Sequence, residues 1–252
     1  MKKIFAIALF MLTISMGASA FTNGDNWFTY PEYKDRTTWK ELAGSNESEI
    51  IKTGEQYLKY QWKPVHASAY IEYAKTGDLE LLVQEDRNRA ALDAMIAAEL
   101  VEGKGRFILQ IADIIWLETT RFSWSRPQYA EGQVSGKSLP ASGDKLISRS
   151  AVENAVSIAI AYHFFKEKID SLDPSICKMV YKAMNRNIFE PYLADDASFS
   201  SEQDVLSSGI LLVFHLVAND NDIIKTATAK CSLSAAECIK NSKEYGIFKV
   251  LP

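Results

Sequence analysis

The stretch 92–117, LDAMIAAELVEGKGRFILQIADIIWL, decides the fold. Leu92, Met95, Ile96 and Leu100 recur at the three- and four-residue spacing of one helix face. Glu102-Gly103-Lys104-Gly105 interrupts that period, and its two glycines mark a turn. A further helix then runs from Arg106 to about Thr119. Two helices joined by so short a turn are antiparallel neighbours, and the rest of the chain extends the same pattern.

Upstream, Ile50, Ile51, Gly54, Tyr57, Leu58 and Trp62 give a helix that begins near Ser48 and is ended by Pro64. Another runs from Val65 to Lys75 and closes at Thr76-Gly77, where glycine takes the left-handed conformation, and Asp78 caps its successor. Downstream, Pro127, Gly132, Gly136, Pro140 and Gly143 make 123–143 a long loop, a length usually associated with function or disorder. An almost wholly apolar helix with Val152, Val156, Ala159 and Ile160 follows. Asp173-Pro174 opens the next, with proline at the tolerated first position. Helical stretches at 201–217 and 222–245 complete the pattern. Residues 21–44 are aromatic and polar without a period and read as an irregular arm. No alternating strand run is visible and no fixed-period repeat points to a solenoid. The fold class is all-α, an array of antiparallel helices over 45–252.

Lys2 and Lys3, the apolar run from Ile4 to Leu12 and Ala18-Ser19-Ala20 follow the order of a secretory signal peptide, residues 1–20, which predicts a periplasmic or secreted protein. Phe21 at the new terminus is not the cysteine a lipid anchor needs, and no other segment offers the roughly 20 apolar residues of a membrane span. The formal charge is −4, which leaves no electrostatic footprint for nucleic acid. An acidic polysaccharide would need a local basic pocket. Cys177, Cys231 and Cys238 show no CxxC spacing, and no HExxH pattern occurs, so neither metal nor cofactor is expected. On one continuous helix Cys231 and Cys238 would stand about 10 Å apart, beyond a disulfide, leaving Cys177 as the partner of either in an oxidising compartment. His163 and His215 fall on apolar faces and read as core residues, whereas His66, just after Pro64, reads as exposed.

Several short segments, in order, resemble the heparinase II/III family of polysaccharide lyases. They are Tyr30-Pro31 with Asp35-Arg36 and Trp39, then Thr76-Gly77-Asp78, then Ala98-Glu99 with Glu102-Gly103-Lys104-Gly105-Arg106-Phe107 leading to Ile115-Trp116-Leu117 and Trp124. Leu139-Pro140, Glu153-Asn154-Ala155, and Arg186 through Pro191-Tyr192 continue the series. The resemblance implies an incomplete (α/α) toroid of antiparallel helices whose loops line a saccharide cleft, without the family's C-terminal β-sandwich. An open toroid edge would leave apolar surface and predicts self-association, partner binding or poor solubility.

It also implies cleavage of uronic-acid glycans, heparin-like or alginate-like, by β-elimination. A group neutralises the C5 carboxylate, a base takes the C5 proton and an acid protonates the leaving oxygen. The family pattern has a tryptophan followed by Pro-Ala-His, whereas here Trp124 precedes Ser125-Arg126-Pro127-Gln128-Tyr129, so Tyr129 stands where the histidine would be and is the candidate catalytic group. Arg121 and Arg126 are candidate carboxylate contacts because guanidinium pairs with carboxylate in bidentate geometry, and Gln128 lies beside them. Trp116 and Trp124 are candidates for stacking on sugar faces, and Glu118 is a minor candidate acid or base. The family's Asn-Asn-Trp after Pro191 is replaced by Phe199-Ser200-Ser201-Glu202-Gln203-Asp204. These departures favour a second reading, a non-catalytic helical module that binds saccharide or protein.

Overall fold

The computed structural model describes residues 30–126, 139, 146–195, 197–199, 203–218, 220–231, 233, 237–238 and 241. Residues 1–20, read as a signal peptide, and most of the long loop, with Gln128 and Tyr129, lie outside the described residues.

The chain is mostly helical, as the apolar periodicity predicts. The helices are α1 (Arg36–Ala43), α2 (Glu47–Glu55), α3 (Ala67–Thr76), α4 (Val83–Glu102), α5 (Ile108–Thr120), α6 (Arg149–Leu172), α7 (Pro174–Met184), α8 (Glu190–Leu193), α9 (Gln203–Val217) and α10 (Asn221–Lys230). Helix α1 falls inside the segment read as an irregular arm. Asp35 starts it by accepting the Thr38 amide at 3.0 Å, a short-range cap that apolar periodicity does not register. The helix expected to reach Trp62 ends instead at Glu55 and gives way to turns at Tyr57–Tyr60. The last predicted helix, 222–245, is interrupted: α10 ends at Lys230 and Cys231 is extended, Glu237, Cys238 and Asn241 are again helical, and most of 232–245 lies outside the described residues.

The caps read from sequence are in place. Gly77 closes α3 at φ 70°, and Asp173 caps α7 through the Ser175 amide ahead of Pro174. Two two-residue strands, β1 (Leu146–Ile147) and β2 (Ser198–Phe199), pair in parallel, too short for an alternation signal.

The core gathers α4, α5, α6, α7 and α9 around α6, whose Val152, Val156, Ala159 and Ile160 are all 0% exposed. Helix α2 packs closely on α4 because Gly54 has no side chain, and a Cβ there would overlap Ala98 Cβ. His163, expected in the core, is exposed on α6 with its ring against Tyr30 and Phe164, since the helix turns that position outward. His66 is exposed as expected. Among the described residues, no helix is long and apolar enough to cross a membrane.

The turn that decides the fold is built on Glu99, which is fully buried. Its Oε1 accepts from Gly105 N at 2.7 Å and Tyr33 Oη at 2.5 Å, and its Oε2 accepts from Phe107 N at 3.3 Å. The carboxylate therefore occupies the N-terminus of α5, where free amides favour a negative charge. Gly103 closes α4 at φ 70°, and a side chain there would overlap the Arg36 guanidinium, which donates to Leu100 O at 2.8 Å. The end of α4 thus meets the start of α5, and the two run antiparallel. The residues that carry the family resemblance most fully make a structural turn.

Candidate functional site

At the opposite end of the array the start of α4, the end of α5, the start of α6 and the end of α7 converge. Glu85 sits at its centre. Its Oε1 accepts from Arg121 at 2.5 Å and from the Tyr70 hydroxyl, and its Oε2 accepts from Arg126 Nε at 2.9 Å. Arg121 also donates to Glu118 Oε2 at 2.7 Å, and that same oxygen accepts from Asn154 Nδ2 at 2.9 Å. Arg126 reaches Asp86 at 2.5 Å, and Arg89 bridges Asp86 at 2.9 Å to Glu153 at 2.8 Å. Arg149 closes the chain of pairs by donating to Glu153 at 3.1 Å.

Burial makes these pairs matter. Glu85 and Glu118 are buried, and the side chains of Arg121 and Arg126 are only 18% and 12% exposed. Desolvation works against the Arg121 cation, but the charges of Glu118 and Glu85 outweigh it and hold its titration above the ordinary value. Arg126 follows the same pattern, with burial opposed by Asp86 and Glu85. The Tyr70 hydroxyl is pushed up, first by burial. It stays a neutral donor to Glu85.

Below the ion pairs, Trp124 fixes the start of the long loop. The side chain is 1% exposed, its Nε1 donates to Glu118 O at 2.9 Å and its amide donates to Asn187 Oδ1 at 3.1 Å. Asn187 belongs to a π-helical turn, Asn185–Phe189, that extends α7, and such turns recur at functional positions. From that turn Arg186 donates to Arg121 O at 2.6 Å and Thr119 O at 3.4 Å, satisfying carbonyls at the end of α5. Ser125 Oγ donates to Leu146 O at 3.2 Å, which ties together the residues flanking the long loop.

The structure therefore brings Arg121, Arg126 and Glu118 into one cluster with Trp124 beneath them. It assigns the two guanidiniums to internal carboxylates, and protein covers the Trp124 ring. Trp116 differs, because it is 49% exposed on the outer face of α5. Phe122, at the same end of α5, is 58% exposed. Sequence reasoning did not single out Glu85, Asp86 or Arg89, whose only local signal is charge near the start of a helix. Glu153, Asn154 and Arg186 were noticed only within the family-like segments.

Among the described residues, no group of three or more potential ligands could hold a metal ion. No protein-family model matches the sequence, and no curated protein matches it.

Proposed function

We propose that this chain is an exported, non-catalytic helical module that binds an acidic saccharide, built as part of an (α/α) toroid similar to that of heparinase II/III-type lyases. One observation carries the non-catalytic half: Arg121 and Arg126, the groups suited to neutralise a substrate carboxylate, are already paired with Glu85, Glu118 and Asp86. A guanidinium that served as the neutralising group would have to be free to strengthen its contact as charge develops on the substrate. Withdrawing Arg121 would strand the buried Glu118, and withdrawing Arg126 would leave Glu85 with Arg121 alone.

Binding asks for less. An aromatic face open to solvent can stack on a sugar ring, and Trp116 offers one. Arg186, held among the described residues by backbone carbonyls, supplies a cation at the same end of α5.

The test mixes the protein with heparin, heparan sulfate, chondroitin sulfate and alginate, following both unsaturated-uronate absorbance and calorimetric binding. The reading expects no absorbance rise, with binding to at least one glycan that Trp116→Ala weakens about tenfold, or roughly 1.4 kcal/mol. An absorbance rise abolished by Tyr129→Phe would establish a lyase instead. A folded protein that binds none of the four would remove the saccharide reading.

A further inference from the structure

The Sγ atoms of Cys231 and Cys238 lie 3.7 Å apart. One continuous helix would hold them about 10 Å apart, but α10 ends at Lys230. Cys231 is extended, at φ −83° and ψ 129°, so the chain leaves the helix axis there and the second thiol returns to the first. The segment is anchored on both sides. Lys230 Nζ donates to Leu193 O and Ala194 O, each at 2.7 Å, fixing the end of α10 on the end of α8. Cys238 is fully buried, with Ser208 of α9 and Tyr192 of α8 among its neighbours.

We propose that Cys231 and Cys238 form a disulfide in the oxidised protein, tying the segment after α10 to the edge made by α8 and α9, while Cys177 stays a thiol. Contact at 3.7 Å must shorten to a bond of about 2.0 Å. Cys231, half-buried, is the less enclosed of the two side chains. The reaction is thiol–disulfide exchange with a disulfide donor of the oxidising compartment. The Cys231 thiolate attacks the donor and forms a mixed disulfide, releasing one donor thiol. Cys238, having lost its proton, then displaces the second. Two protons and two electrons leave the protein and the donor disulfide is reduced to two thiols. Cys177 sits elsewhere, in the first turn of α7, buried and donating to Lys166 O at 3.9 Å, and burial pushes its thiol up to about 12.

The experiment equilibrates the full chain with oxidised glutathione, unfolds it in acid guanidinium, alkylates it and maps the peptides by mass. One alkyl group, on Cys177, and a linked peptide pair containing Cys231 and Cys238 are expected. Prior reduction should raise the count to three. Reductant should also lower the thermal midpoint of the wild type and leave that of the Cys231→Ser, Cys238→Ser double variant unchanged. Three alkyl groups after oxidation, a glutathione adduct in place of the bridge, or a bridge that includes Cys177 would each overturn the proposal.

Discussion

Arg121 and Glu85, 36 residues apart in the chain, form an ion pair at 2.5 Å between the end of α5 and the start of α4. The same guanidinium holds Glu118, so one cation neutralises two buried carboxylates. Removing it leaves Glu118 buried without a cation and leaves Glu85 with Arg126 alone. Arg121→Met should therefore destabilise the fold by about 3–5 kcal/mol, read as a lower urea midpoint with little change in slope. A loss below about 1 kcal/mol would mean that solvent reaches the cluster.

Glu99 supports the other end of the array. Glu99→Ala strips the Gly105 and Phe107 amides and the Tyr33 hydroxyl of their acceptor, and the expected cost is about 2–3 kcal/mol. Hydrogen exchange should speed up first at the amides of 105 and 107. Unchanged protection there would rule out the capping role.

Gly54 tests the packing of α2 on α4. A methyl group at this position overlaps Ala98 Cβ, and helix propensity alone would favour alanine, so the two effects oppose each other. Overpacking of about 1–3 kcal/mol should outweigh the propensity gain of at most about 1 kcal/mol. Gly54→Ala is thus expected to lower the thermal midpoint, and Ala98→Gly in the same chain should recover part of the loss.

His215 on α9 gives a pH dependence with a defined sign. Burial lowers its pKa from 6.5 to about 4, so between those values the unfolded chain binds a proton that the folded chain does not. The group's contribution is complete above 6.5 and is lost as pH falls through that window to about 4. The loss should be on the order of 1–2 kcal/mol once solvent screening is allowed for. Proton NMR titration of the imidazole reads the pKa directly, and a value near 6.5 would cancel the prediction. His215→Gln should flatten the corresponding part of the stability profile.

The sequence by itself determined the helical class, the start and end of most helices and the apolar identity of α6. Those features depend on a period of about 3.6 residues and on local caps such as Gly77 and Asp173, which act over a few neighbouring positions. It also located the region of interest, since Arg121, Glu118, Trp124 and Arg126 do lie together. Tertiary structure alone decided what they touch. Glu85 and Asp86 look like solvated charges until α5 runs back alongside α4 and sets Arg121 and Arg126 against them. Trp116 falls within an apolar helix yet faces outward, because exposure depends on which neighbours cover each face of α5. Cys231 and Cys238 meet only because the chain leaves the helical path after Lys230. Local spacing records the forces between near neighbours, whereas charge pairing and burial depend on segments that only the folded chain brings together.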